Sequence, residues 1–289
     1  MSKIITKKIN DFFTYKNKIL FVEDVSVIDI SKRMNTPFYI YSTASLRRRY
    51  TKLSESLKNI NHSLYFSVKS NSNLAVLRVL SLLGSGMDVV SGGEYLRAQK
   101  AGVPGDKIVF SGVGKTYDEI KLALSNGIRQ FNVESIPEIM LINKIATTTG
   151  KKAPISIRVN PDVDAQTHEK IMTGKLENKF GIPINSALEV YRIASELNSI
   201  KIVGIDLHIG SQITDILPFE TAFLKIANFI KKLREEGHVI DRVDIGGGLG
   251  ISYSTKEKDP ISIDKFSSML DKTFNKMNLE IQLEPGRFI

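Results

Sequence analysis

At 289 residues, with 42% hydrophobic and 25% charged side chains, the chain can bury one large α/β core or two small ones. It has no cysteine, which excludes disulfides and suits a reducing, cytoplasmic setting, and no apolar run nears the roughly 18 residues of a membrane span. The formal net charge of +9 is spread along the chain, in pairs such as Lys151-Lys152 and Lys231-Lys232, without an aromatic-interleaved basic stripe; solvated helix faces explain it better than nucleic acid, and its field would also favour an anionic small molecule.

Residues 1–36 follow no helix–strand alternation and read as a β-rich lead-in. They start basic but are interrupted by Asp11, and they lack the apolar core of a secretory signal. The second unit, 37–289, alternates throughout. Ser42 is placed to cap a helix whose apolar positions, Leu46, Tyr50, Leu53, Leu57 and Ile60, are spaced four, three, four and three. A strand is expected at Ser63–Val68, followed by Met87–Val90, Lys107–Phe110, Gln130–Val133, Ile155–Val159, Lys201–Leu207, Arg242–Ile245 and Leu279–Leu283. Helical spacing separates most of them, clearest in Phe219, Phe223, Ile226, Ile230 and Leu233 and again in Ile263, Phe266, Leu270, Phe274 and Met277. Eight parallel strands with crossover helices satisfy a (β/α)8 barrel, but an open doubly wound sheet uses the same alternation, and strand count alone does not separate the two.

The unusual segments fall where strands end, which is where a barrel places its chemistry. Lys69, in Lys69-Ser-Asn-Ser-Asn73, closes the first strand. A partly desolvated lysine there loses its proton readily and can take an aldehyde, whereas an isolated lysine usually just rims the barrel mouth. After the sixth strand, His208-Ile-Gly-Ser-Gln212 sets a histidine against a planar ligand with Ser211 towards phosphate; a lone histidine is more often simply packed. His62 and His238 sit near the opposite strand ends, and His168 lies in an irregular loop.

Asp244-Ile-Gly-Gly-Gly-Leu-Gly250 follows the seventh strand. Gly246, Gly247 and Gly248 lack the Cβ atoms that would keep backbone N–H groups off a phosphate, although a glycine run can also be a plain tight turn. After the eighth strand, Glu284-Pro-Gly-Arg287 offers a carboxylate for a pyridine nitrogen and, in Arg287, a bidentate clamp for a substrate carboxylate; the alternative is a surface Glu–Arg pair. Asp88 and Arg158 fit equally as cofactor-tuning groups or as a buried ion pair.

Taken together, these segments resemble the diaminopimelate decarboxylase family of fold-type III, alanine-racemase-like pyridoxal 5'-phosphate enzymes. The resemblance rests on Tyr65-Phe-Ser-Val-Lys-Ser-Asn-Ser-Asn-Leu-Ala75, Asp88-Val-Val-Ser-Gly-Gly-Glu94 and Phe110-Ser-Gly-Val-Gly-Lys-Thr116. It continues through Arg158-Val-Asn-Pro-Asp-Val-Asp-Ala165, Thr173-Gly-Lys-Leu-Glu-Asn-Lys-Phe-Gly181, His208-Ile-Gly-Ser-Gln212, the triple glycine and Glu284-Pro-Gly-Arg287. Ornithine and arginine decarboxylases share the lysine, the glycines and the last motif.

The resemblance implies an alanine-racemase-type barrel that decarboxylates meso-2,6-diaminopimelate to L-lysine. Lys69 would hold the cofactor as an internal Schiff base, His208 would lie against its ring, and Glu284 would meet the ring nitrogen. Ser211, Gly246, Gly247, Gly248, Pro285, Gly286 and Arg287 would surround the phosphate or its neighbouring loop. The resemblance also implies a homodimer and a C-terminal β domain joined to residues 1–36. The sequence stops two residues after Arg287, so the expectation is a barrel without that domain, binding cofactor weakly and decarboxylating little on its own. A racemase-like protein and a non-catalytic binding remnant are the rival readings; Glu284 argues against the first.

Overall fold

The computed structural model describes residues 6–8, 12–164, 180–253 and 260–289. The lead-in is a small antiparallel sheet in the order β1 (Thr6–Lys8), β2 (Phe13–Lys16), β3 (Ile19–Val22), β4 (Val25–Ser26), followed by the short helix α1 (Val27–Ser31). Its central hairpin turns on Asn17 and Lys18, both at positive φ (51° and 68°), the conformation of a two-residue turn matched to strand twist.

Helix α2 (Thr43–Ser56) then starts where expected, with the Ser42 side chain accepting from the Ser45 N–H at 3.0 Å. The alternating part runs β5 (His62–Ser67), α3 (Leu74–Leu82), β6 (Gly86–Val89), α4 (Gly92–Lys100), β7 (Ile108–Phe110), α5 (Tyr117–Ser125), β8 (Gln130–Val133) and α6 (Ile136–Thr148). It continues through β9 (Ala153–Asn160), the two-residue β10 (Ile182–Pro183), α7 (Ile184–Ser195), β11 (Ile200–Asp206), α8 (Leu217–Glu235), β12 (Arg242–Asp244), α9 (Ile263–Phe274) and β13 (Glu280–Leu283).

Eight of these strands pair in parallel in the order β9-β11-β12-β13-β5-β6-β7-β8, and β8 pairs back onto β9. The sheet is therefore closed, and the barrel replaces the open-sheet alternative. The helix that a barrel needs between its last and first strands comes from the front of the chain. There α2 packs against both α3 and α9, and the Ser267 hydroxyl donates to the Ser56 carbonyl.

Side chains alternate along each strand. The outward set, such as Phe66, Met87, Phe131, Ile157 and Ile281, is fully or nearly buried against apolar helix faces in one continuous core. The inward set is different. Gln130, Asn132, Ser156, Asp206, Asp244 and Gln282 are also buried, and they are polar. No described helix is long and apolar enough to cross a membrane.

Candidate active site

Lys69 leaves the end of β5 in a single 3-10 turn, Val68–Ser70, which carries its side chain to the C-terminal mouth of the barrel. The parallel register sets Ser67 beside Asp88 of β6. There the wholly buried Asp88 carboxylate accepts from Lys69 Nζ at 3.2 Å and from Ser67 Oγ at 2.9 Å. This corrects one expectation. Lys69 does not lose its proton readily: the Asp88 carboxylate, seconded by Glu284, outweighs desolvation and pushes the amine above its ordinary range. Asp88 is thus both an ion-pair partner and part of the site, and its Oδ1 has no hydrogen-bond partner.

Glu284 follows β13 directly and is buried, not part of a surface pair. Its Oε1 accepts from Ser111 Oγ and from Asn132 Nδ2, each at 3.2 Å. Arg287 points elsewhere, donating to Gln212 Oε1 at 3.4 Å from an exposed position. Arg158 stands opposite on β9. Its Nη1 donates to Glu134 Oε1 at 3.1 Å, its Nε lies 3.8 Å from Asp206, and its guanidinium covers the Phe180 ring at 5.5 Å.

Three carboxyls form the floor: Asp206, Asp244 and Glu284 are all buried and offer oxygens within 4.8 Å of one another. Desolvation, with the Asp244 charge beside them, pushes Asp206 and Glu284 well above the ordinary carboxyl range, and desolvation with the Asp88 charge pushes Asp244 up to about 6. The trio could offer ligand atoms to a cation, but Asn132 Nδ2 already bridges two of its members, 3.2 Å from Glu284 and 3.5 Å from Asp244.

His208 accepts from the Gly247 N–H at Nδ1 (3.3 Å), which leaves the ring proton on Nε2. Burial, with Arg158 and Lys69 nearby, lowers its pKa to about 3, so the ring is neutral. The glycine run is needed for packing as well as for any ligand. A Cβ on Gly246, whose φ is +65°, would sit 2.8 Å from His208 Nδ1, and one on Gly247 would sit 2.4 Å from the Glu284 carbonyl.

Two cavities meet at Lys69, His208, Ser211 and Glu284. One of about 260 Å³ is walled by Gly246, Gly247, Gly248, Pro285, Gly286 and Arg287. The other, of about 360 Å³, extends past Gly112 and Asn160 to Arg158 and Phe180. Every residue singled out at a strand end is thus brought to one place, with Asp88 just beneath it. His62 lies at the opposite end of β5, and His238 packs on the Tyr191 ring at 5.6 Å, both away from the mouth. His168 and most of Thr173–Gly181 lie outside the described residues. Sequence reading missed Asn132, Ser111, Glu134, Asp206 and Asp244 as site residues. The available signal was a polar side chain at an inward position of an otherwise apolar strand end.

A (β/α)8 barrel with an amine, a neutral imidazole and a buried carboxyl around a glycine-rich loop defines a class, and comparison with known proteins agrees with it. Residues 43–289 match the family described as pyridoxal-dependent decarboxylases, pyridoxal binding domain, and the chain belongs to that family. Within it, the chain is diaminopimelate decarboxylase-like. It is 48% identical over 279 residues to diaminopimelate decarboxylase of Haemophilus influenzae, covering 96% of this chain and 67% of that protein. The crystal structure of diaminopimelate decarboxylase from M. jannaschii superposes with a TM-score of 0.89 at 37% identity, covering 96% of this chain and 67% of that one. The Helicobacter pylori enzyme complexed with L-lysine gives 0.86 at 39% identity, covering 90% and 66%. The chain spans about two thirds of the length of these relatives.

Proposed function

We propose that this chain binds pyridoxal 5'-phosphate at the barrel mouth and serves decarboxylation of meso-2,6-diaminopimelate to L-lysine and carbon dioxide. The observation that carries the reading is the meeting of one amine, Lys69, and one buried carboxyl, Glu284, on a cavity walled by Gly246–Gly248. The residues fit the cofactor. The amine suits an aldehyde, the carboxyl suits a ring nitrogen, and the glycine loop lies where any side chain would collide.

Pyridoxal phosphate, when bound, supplies a ring that draws off the electron pair left as the Cα–carboxylate bond breaks. Lys69 would hold it through Nζ, with the buried Asp88 carboxylate, 3.2 Å from Nζ, orienting the amine. His208 would present a neutral face to the ring, so no second cation competes with the ring nitrogen for Glu284. Ser211, the three glycines and Gly286 would receive the phosphate. Arg287, on the rim of the same cavity, would clamp either the phosphate or a substrate carboxylate. Residues 1–36 would belong to a β domain distinct from the barrel of 37–289, and the working assembly would be a homodimer, as the family resemblance implies.

Borohydride reduction of the loaded protein should fix the pyridoxyl group on Lys69, and Lys69→Ala should abolish the visible band. Label on another lysine would remove Lys69 from the role. Carbon dioxide release should be measured from meso-diaminopimelate, L-ornithine and L-arginine in parallel. Faster release from either of the last two would reassign the substrate, and cofactor binding with no release from any would leave a binding protein.

A further inference from the structure

The floor of the site holds more carboxyls than cations. Lys69 is committed to Asp88 at 3.2 Å, and Arg158 to Glu134 at 3.1 Å with a looser approach to Asp206 at 3.8 Å. Asp244 and Glu284 are left with no cation of their own, in full burial, with Asp206 beside them and one Asp206 oxygen unpartnered. Like charges this close in a dry site do not all ionise; a proton stays.

The hydrogen bonds say where it sits. Asp244 Oδ1 accepts from the Gly246 N–H at 3.0 Å and Oδ2 faces Asn132 Nδ2 at 3.5 Å, contacts that favour its ionised form. Glu284 Oε1 is taken by Ser111 and Asn132, which leaves Oε2 to carry the proton, and oxygens of the two carboxyls lie within 4.8 Å of each other.

We infer that Asp244 is the positioning residue of Glu284: with Asn132 bridging them, the two carboxyls share one proton in the cofactor-free site, and Glu284 surrenders it when a pyridine ring settles beside it. The inference rests on the reading of Glu284 as the ring-nitrogen partner. The charged groups facing Glu284 are Asp244 from β12, Asp206 from β11, Asp88 from β6, Lys69 from the turn after β5 and Arg158 from β9, and Asp244 is the largest charged contributor to its raised pKa after burial itself. If the ring arrives unprotonated, the Glu284 proton moves to the ring nitrogen. If it arrives protonated, the Glu284 proton goes to solvent. In both cases removing the Asp244 charge frees Glu284 to ionise beforehand, so the variant must release one proton fewer, or take up one more, on loading.

The test is calorimetric titration of pyridoxal phosphate into cofactor-free protein in buffers of different ionisation heat, which counts protons exchanged. Asp244→Asn should differ from the unaltered chain by up to one proton per site, whereas adding Asp244→Asn to Glu284→Gln should shift the count no further, because no Glu284 proton is left to free. Equal counts in Asp244→Asn and the unaltered chain would overturn the role of Asp244 while leaving Glu284 in place. A shift from Asp244→Asn that persists undiminished on the Glu284→Gln background would show that another group carries the proton, and would overturn the Glu284 reading and the inference with it. Should Asp244→Asn not fold, infrared difference spectra of the unaltered chain labelled at glutamate carboxyls serve instead. Loss of a protonated glutamate band on loading is expected, and its absence before loading would overturn the proposal.

Discussion

The inside of the barrel and the layer outside it are built from the same eight strands, yet their chemistry is nearly disjoint. In β9, Ile155, Ile157 and Val159 face the helices and join the apolar core, while Ser156, Arg158 and Asn160 alternate with them. In β8 the same holds for Phe131 and Val133 against Gln130 and Asn132. Barrel interiors are commonly filled with branched apolar residues. Here a network runs up the inside instead, from Glu280 with Arg129 and Ser63 at the base, through Arg242 and Gln130, to Asn132, Asp244 and Glu284 at the mouth. The outer layer can therefore carry the fold by burial alone, and the interior is left to hold charges at fixed positions.

Neighbours on one strand should consequently fail in different ways. Arg158→Met strands the Glu134 and Asp206 carboxylates and should cost the cofactor-free chain about 3–5 kcal/mol. Adding Glu134→Gln should recover part of that loss, because the fault is an uncompensated charge. Phe223→Ala, which empties a place among the rings of Phe219, Phe266 and Phe274, should cost a similar amount of about 3–5 kcal/mol. It should leave borohydride labelling at Lys69 intact. Ile157→Val, one residue from Arg158, should cost only about 0.5–1.5 kcal/mol. Urea midpoints measured at constant m-value decide all three. An Arg158→Met loss that Glu134→Gln does nothing to relieve would show that the interior is held by packing after all.

The division also explains what the sequence discloses. All eight barrel strands were legible as short β-like runs between helical spacings, and Ser42 was legible as a cap, because these signals are local. Closure was not, since it depends on β8 meeting β9 across a register that no local pattern specifies. At the mouth, Lys69, His208, Ser211, the glycines and Glu284 stood out by position after a strand. Asp206 and Asp244 did not, because each lies inside an expected strand, Lys201–Leu207 or Arg242–Ile245, and only closure of the barrel turns those alternate positions inward towards the site. The charge of Lys69 was misjudged for the same reason. Its partner Asp88 is nineteen residues away in sequence and becomes a neighbour only through the pairing of β5 with β6.

The smallest expected effect is a change in slope, and it separates two interior groups of opposite sign. His208 has its pKa depressed from 6.5 to about 3 in the folded chain, so the unfolded chain binds the extra proton between those values. Its contribution is present above about 6.5 and is lost as pH falls towards about 3. Asp244 is raised from 3.8 to about 6, so its contribution is present below 3.8 and is lost as pH rises through about 6. The two oppose each other across the shared window. His208→Gln, whose amide oxygen can still accept from the Gly247 N–H, should make stability fall more steeply with rising pH between about 4 and 6. Asp244→Asn should tilt the same stretch the other way, and Ile157→Val should shift the whole curve without tilting it. Urea unfolding of cofactor-free protein at several pH values reads all three slopes. Parallel curves for His208→Gln and the unaltered chain would mean that the imidazole is solvated enough to titrate as it does unfolded, and the dry interior would then not extend to the mouth.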